Sequence, residues 1–505
     1  MTIPEWERKA EEKRTEVASN IPQQWLLPYH ILDSIANGTM DNVLDVPRKS
    51  GILTKAELSL TEDFDATDLV SKLTSREITS FDLTLAFCKR AAIAQQVTNC
   101  LTEIFFDAAL ERAHQLDTHL VETGKCIGPL HGLPISVKES FNIAGIHATL
   151  GFVSFIDRPA ASENSALIDI LLAAGAVLYV KTNVPQTMMT PDSHNNIFGR
   201  TRNPHKLSLT AGGSSGGEGA LVAMRGSPLG IGTDIAGSIR IPALCNGTFG
   251  FKPSCGRLPY RGQCAAGRKG MAGIAPSAGP VTRSARDAKL LLKTVFDAPC
   301  SDLDEMVLPI PWREAESKSY LTLGIMPEDP DCHLHPPMRR TLDEACRKLK
   351  DAGHILVDLQ NDFPSLSSAS KLAFRYFNMD PKRTVFTHIA ASGEPVIPSV
   401  EVTYPLQNAV KEPTLEEFFD LNVEKANFLC SLREVFTRNK IDAIIGPGYQ
   451  VGCAVPHDLF GEPLYTSPFN LADVSSVVSP QGRILADVGL VSSLCDTLQQ
   501  SLAQA

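Results

Sequence analysis

Two rhythms of apolar and polar residues alternate along this chain, and together they predict an α/β fold. The first is helical: TSFD at Thr79 has the S/T-x-x-D/E form of a helix cap, and Leu83, Phe87, Ala91 and Ala94 follow at the spacing of one helix face. The second is a repeated order of helix, glycine and β-rich run. SALIDILLAAG leads to AVLYVKT, and MRRTLDEACRKLKDAG leads to HILVDL. That order predicts a mixed, mostly parallel central sheet covered by helices on both faces, with ligands held at the carboxyl ends of its strands. PISVK and LGIGTD read as short buried strands of this kind.

The same pattern divides the chain into an N-terminal helical arm over residues 1–80, punctuated by Pro22, Pro28 and Pro47, a core over 81–320, and a C-terminal α/β part of the same unit over 321–505. In the last part TLEE at Thr414 opens a long amphipathic helix whose apolar positions include Leu415, Phe418, Phe419, Leu429, Leu432 and Phe436. Core packing is the favoured reading of that stripe, ahead of a membrane or partner surface.

Composition narrows the function. Apolar residues make up 43% of the 505 and charged residues 21%, with a formal charge of −10, and Lys and Arg are scattered without a long run. A soluble globular protein with no nucleic-acid partner is expected. The twelve cysteines show neither a C-x-x-C pair nor a Cys/His ligand spacing, so they read as buried thiols in a reducing compartment, with no metal. The N-terminus is charged and lacks the apolar core of a signal peptide. The longest apolar run, ALIDILLAAGAVLYV, carries Asp169 and breaks at Gly175. A cytoplasmic location without an integral membrane segment is expected.

Candidate chemistry concentrates between Gly212 and Pro253, where Ser214 and Ser238 sit on glycine-freed backbone. Lys138 closes the run PISVK, with no other basic residue within six positions. A serine hydroxyl needs a base within hydrogen-bond reach, and Lys138 can be that base if it is neutral. Ser238 lies in TDIAGSIR, where the turn Ile235-Ala236-Gly237-Ser238 can aim several N–H donors at an oxyanion. Ser215-Gly216-Gly217-Glu218 has the form of a capping box for the helix EGALVAMR, ended by Gly226. An alternative reads Gly213–Gly217 as the G-x-S-x-G elbow of an α/β-hydrolase, with Ser215 as nucleophile and His354 or His457 as partner. The preceding NPHKLSLTAGG is too polar and turn-rich for the strand that an elbow requires.

The stretch from Gly212, with Lys138 upstream, resembles the amidase signature family over about Trp25 to Val478. KTNVPQTMM, FGRTRNP and GRLPYRG resemble segments of its fungal acetamidase-type members. The resemblance implies the amidase signature fold and an amide hydrolase working through a serine acyl-enzyme, without metal or organic cofactor. Lys138 is then the base, Ser214 the bridging serine on a cis peptide after Gly213, and Ser238 the nucleophile. Ser215, Thr233, Asp234 and Arg240 support the loop, and Met188 and Thr190 border the cavity. Ala236 stands where the family usually has a second glycine. A small aliphatic carboxamide is the favoured substrate, with longer acyl chains and specialised amides open. Glutaminyl-tRNA amidotransferase subunits share the signature, but the acidic charge disfavours that role. A homodimer is allowed. The rival class is a catalytically impaired homologue acting as a binding or scaffold protein. The family's strand G-x-P-x-x-x-Q-x-x-G-R is replaced by QGRILADVGLVSSLCDTLQQSLAQA, whose Leu490, Leu494, Leu498 and Leu502 suggest a helix covering the exposed edge.

Overall fold

A computed structural model describes residues 3–314, 318–403, 412–451 and 454–479. The proposed tail helix lies outside the described residues. The main sheet has seven strands: β1 (Leu101–Ile104), β2 (Pro134–Lys138), β3 (Val177–Thr182), β4 (Leu229–Asp234), β5 (Phe249–Lys252), β6 (Ser277–Thr282) and β7 (Ser476–Val478). Their order is β1-β3-β2-β4-β6-β5-β7. Parallel pairing is confined to β3-β2-β4, and the remaining neighbours pair antiparallel. The sheet is therefore mixed, with a parallel centre whose carboxyl ends carry Lys138 and Asp234.

β2 and β3 of this centre are buried throughout, as strands covered on both faces are, and their sequences are correspondingly rich in apolar residues. The run ALIDILLAAGAVLYV divides as expected into helix Ala166–Ala173 and β3. Gly175 makes the turn at φ +91°, and a side chain there would meet the His131 backbone at 2.8 Å. HILVDL supplies strand Ile355–Asp358, but in a separate parallel sheet with Thr322–Ile325 and Ala443–Ile445 rather than in the main one.

The helix predicted from Thr79 spans Ser80–Thr98, with Thr79 Oγ1 accepting from the Asp82 N–H at 3.0 Å and Asn99 closing it in the left-handed region. It is buried along most of its length, and Gln96 on it holds the arm by accepting from Leu27 N–H and donating to the Trp25 carbonyl. Lys13 in the first helix pairs with the buried Glu103 of β1 at 2.9 Å. The helix opened by Thr414 spans Leu415–Asn439. Its core reading holds for Leu432 and, partly, for Phe418 and Phe436. It fails for Leu415, Phe419 and Leu429, which are 66%, 57% and 36% exposed, because Leu421, Leu432 and Val435 form the face that packs. Among the described residues no helix is long and apolar enough to cross a membrane.

Candidate active site

Three chain segments meet at the carboxyl end of the parallel centre. Lys138 ends β2, and pairing of Ser136 and Val137 with Gly230 and Ile231 sets it beside β4. Its amine lies 2.7 Å from Ser214 Oγ and 2.9 Å from Thr233 Oγ1. Lys138 is fully buried, and that burial lowers its pKa to about 7, against the opposing pull of Asp234 and Glu218. Ser214 follows a cis peptide bond from Gly213, as the resemblance implied. Ser214, Thr233, Ile235 and Ser238 all face one cavity of about 670 Å³. No hydrogen bond joins Ser214 Oγ to Ser238 Oγ in the structure; Ser214 Oγ accepts from Lys138 instead.

The turn after β4 is built on Asp234. Its carboxylate accepts from Gly237 N–H at 2.8 Å and Ile239 N–H at 3.1 Å, and from the Arg240 guanidinium at two points, 3.0 Å each. Burial alone would raise the Asp234 pKa, but Arg240 outweighs it and holds the carboxyl well below the usual range. One expectation changes here. Because Gly237 N–H is spent on Asp234, the donors left for an oxyanion are Ile235, Ala236 and Ser238. Gly237 has φ +134°, and a Cβ there would stand 2.4 Å from Thr466 Oγ1, so glycine is required.

Two residues absent from the sequence reading complete the turn. Thr466 Oγ1 donates to the Ala236 carbonyl at 2.7 Å, and Asn470 Nδ2 donates to Asp234 Oδ1 at 2.9 Å. Arg240 in turn donates to the Thr466 carbonyl at 3.0 Å. They lie some 230 positions away in a turn-and-helix segment of unremarkable pattern, TSPFN.

Further expectations are corrected. Ser215 does not cap the helix Gly216–Ala223. Its hydroxyl donates to the Thr233 carbonyl at 3.3 Å and its N–H to the Ser238 carbonyl at 3.1 Å, which ties the glycine-serine loop to both β4 and the turn that carries Ser238. Glu218 is equally diverted: Ser136 Oγ donates to it at 2.6 Å and Thr182 Oγ1 at 2.9 Å. Fully buried, it has its pKa pushed up to about 8. The helix ends at Ala223 with Met224 as its C-cap, the left-handed residue that turns the chain is Arg225 at φ +58° rather than Gly226, and Gly226 contributes its N–H to the Leu221 carbonyl at 2.8 Å. Met188 lines the cavity, but Thr190 does not: its hydroxyl donates to the Asp192 carbonyl, and its own carbonyl packs on Gly213. Ser215 is buried away from the cavity, His354 accepts from Leu321 N–H beside the smaller sheet, and His457 meets the Leu207 carbonyl. The elbow reading therefore has neither an accessible nucleophile nor a base.

The family model described as Amidase matches residues 82–447. An "Amidase" of Gibberella moniliformis is 39% identical over 482 residues, 95% of this chain and 90% of that protein. An "Acetamidase" of Emericella nidulans is 40% identical over 492 residues, 94% of this chain and 86% of that one. A solved "Fatty acid amide hydrolase" superposes with a TM-score of 0.88 at 32% identity, covering 94% of this chain and 83% of the other.

Proposed function

The chain belongs to the amidase family and is an amide-cleaving hydrolase; on that premise we propose that Lys138, Ser214 and Ser238 perform the cleavage as a relay. Neutral Lys138 accepts a proton from Ser214, which accepts one from Ser238, and the Ser238 oxygen attacks the amide carbonyl. The oxyanion that forms takes hydrogen bonds from the N–H groups of Ile235, Ala236 and Ser238. The proton returns through Ser214 to the amine nitrogen, the C–N bond breaks, and the acyl group remains on Ser238 as an ester. Water, deprotonated by the same relay, then attacks that ester and releases the carboxylate.

One observation carries this reading: the 2.7 Å contact of a fully buried lysine amine with Ser214 Oγ, beside the cavity that Ser238 also faces. A fluorophosphonate probe tests it. The label is expected on Ser238 and lost in Ser238→Ala, along with hydrolysis. A label mapped to Ser215, or hydrolysis retained by Ser238→Ala, rejects the relay.

A further inference from the structure

One buried carboxyl takes no part in the relay and yet reaches the cavity wall through its partners. Glu394 follows helix Thr384–Ser392 and Gly393, which turns the chain at φ +71°, and it is 5% exposed. Its Oε1 accepts from Val153 N–H at 2.8 Å, and its Oε2 accepts from Gln186 Nε2 at 2.8 Å and Asn196 Nδ2 at 2.9 Å. The Ser392 hydroxyl lies against Oε1 at 3.2 Å. Burial pushes the Glu394 pKa up, and these donors oppose that shift.

The Gln186 amide faces Glu394 in one orientation. Its Oε1 accepts from Ile397 N–H at 3.1 Å, so its NH2 group points to Glu394 Oε2 and, at 3.1 Å, to the Pro395 carbonyl. Asn196 Nδ2 likewise divides between Glu394 Oε2 and the Pro395 carbonyl, the latter at 2.7 Å. Two side-chain amides and a peptide N–H therefore aim donors at one carboxylate. An amide in place of Glu394 would set its own NH2 against one of them.

The backbone that this joint holds is strained. Thr187 and Met188, directly after Gln186, lie in the left-handed region at φ +75° and +59°, which a β-branched residue such as Thr187 leaves unless its surroundings enforce it. Both face the cavity shared by Ser214 and Ser238. On the other side of Glu394, helix Thr384–Ser392 brings Val385 and Phe386 to the same cavity, and with Met188 they pack on the buried group that includes Phe152 and Phe155. Glu394 is thus a polar joint between two pieces of one wall.

Resting on the serine relay proposed above, we infer that Glu394 is a positioning residue for substrate: its carboxylate, through Gln186, sets the Thr187–Met188 turn against Val385 and Phe386 and so fixes where the group attached to the reacting carbonyl is held. It acts on the binding of that group and leaves the chemistry at Ser238 unchanged.

Two fluorophosphonates, one carrying a methyl group and one a 4-phenylbutyl group, test this on Ser238 itself. In Glu394→Gln the concentration of the phenylbutyl reagent that gives half the limiting labelling rate should rise about tenfold, the scale of one buried donor left unpaired. The limiting rate should stay within about twofold, and labelling by the methyl reagent should not change. Gln186→Ala leaves Glu394 its bonds to Val153 and Asn196 and should shift half-saturation in the same direction. The double variant should be no worse than the more affected single one, because both act through one contact. A lower limiting rate at unchanged half-saturation, an equal loss with both reagents, or additive effects in the double variant overturns the positioning role. Parent-like half-saturation in Gln186→Ala overturns it as well, whether or not Glu394→Gln folds. Failure of the relay itself reads differently, as absence of label on Ser238 in the parent protein with either reagent.

Discussion

The pH dependence of turnover follows directly from the burial of Lys138. An ordinary lysine is protonated almost completely at neutral pH and cannot accept a proton. Burial brings this one to about 7, so roughly half of it is neutral at pH 7, a tenth at pH 6 and a hundredth at pH 5. Because only the neutral amine starts the relay, log kcat/KM should rise with a slope of one up to about pH 7 and level off above it. Lys138→Ala should remove that limb and most of the activity together. The sign for stability can be worked out as well. The folded pKa is lower than the unfolded one, so between about 7 and 10.5 the unfolded chain binds more protons and stability increases with pH through that window. Below it the cost of the buried ammonium is present in full. Rates measured from pH 5 to 9 with a neutral substrate check the first claim. A flat profile below pH 7, or an unchanged acid limb in Lys138→Ala, would refute the reasoning.

Three other perturbations probe the surroundings. Glu218→Gln replaces a carboxyl that is already mostly protonated across the acid limb, so the limb should stay near pH 7; a limb that moves clearly to lower pH would show that a charged Glu218 acts on the lysine. Asp234→Asn leaves the Arg240 charge buried without its partner, a loss of roughly 3 to 5 kcal/mol, visible as a lower urea midpoint at pH 7. Since the Asp234 pKa is depressed in the fold, its contribution is present above the unfolded carboxylate value and is lost as pH falls toward the folded one, and the variant should be less sensitive to acid than the parent. Thr466→Val deletes the donor to the Ala236 carbonyl and should lower kcat about tenfold with little change in KM. Thr466→Ser should restore it, and failure of that rescue would reduce Thr466 to a packing residue.

The parts of the site that were legible in the sequence are those whose chemistry is local. Lys138 stood at the end of an apolar run, and Ser214 and Ser238 stood among glycines because backbone must pass close by. Gly213 shows this directly, since a Cβ there would lie 2.3 Å from the Thr190 carbonyl. The misreadings share a cause. Ser215 and Glu218 have the spacing of a capping box, but the helix they open is buried at its start, and other groups satisfy its first N–H donors: Ser193 Oγ accepts from Gly216 at 3.0 Å and the Asn183 carbonyl from Gly217 at 3.1 Å. With the cap supplied from outside, both side chains are free to bind the strands. Thr466 and Asn470 left no mark, because a hydroxyl and an amide acting across 230 positions impose no periodicity on their neighbours.

These contacts also bear on how Lys138 can act as the proposed base. Asp234 and Arg240 form a buried pair at 3.0 Å, nearly neutral as a unit, so the field they leave at Lys138 is small for two full charges so near. Glu218, the other buried carboxyl close by, has its pKa raised to about 8 and is mostly neutral at pH 7. The lysine therefore has no fully charged carboxylate devoted to it, and burial decides its protonation. Had Ser136 and Thr182 been replaced by apolar residues, Glu218 would be harder still to ionise. Had a cation stood beside it, Glu218 would ionise and draw the lysine toward its charged, inactive form. A protonated carboxyl held by two hydroxyls is thus the arrangement that fills the space beneath the relay without disabling it.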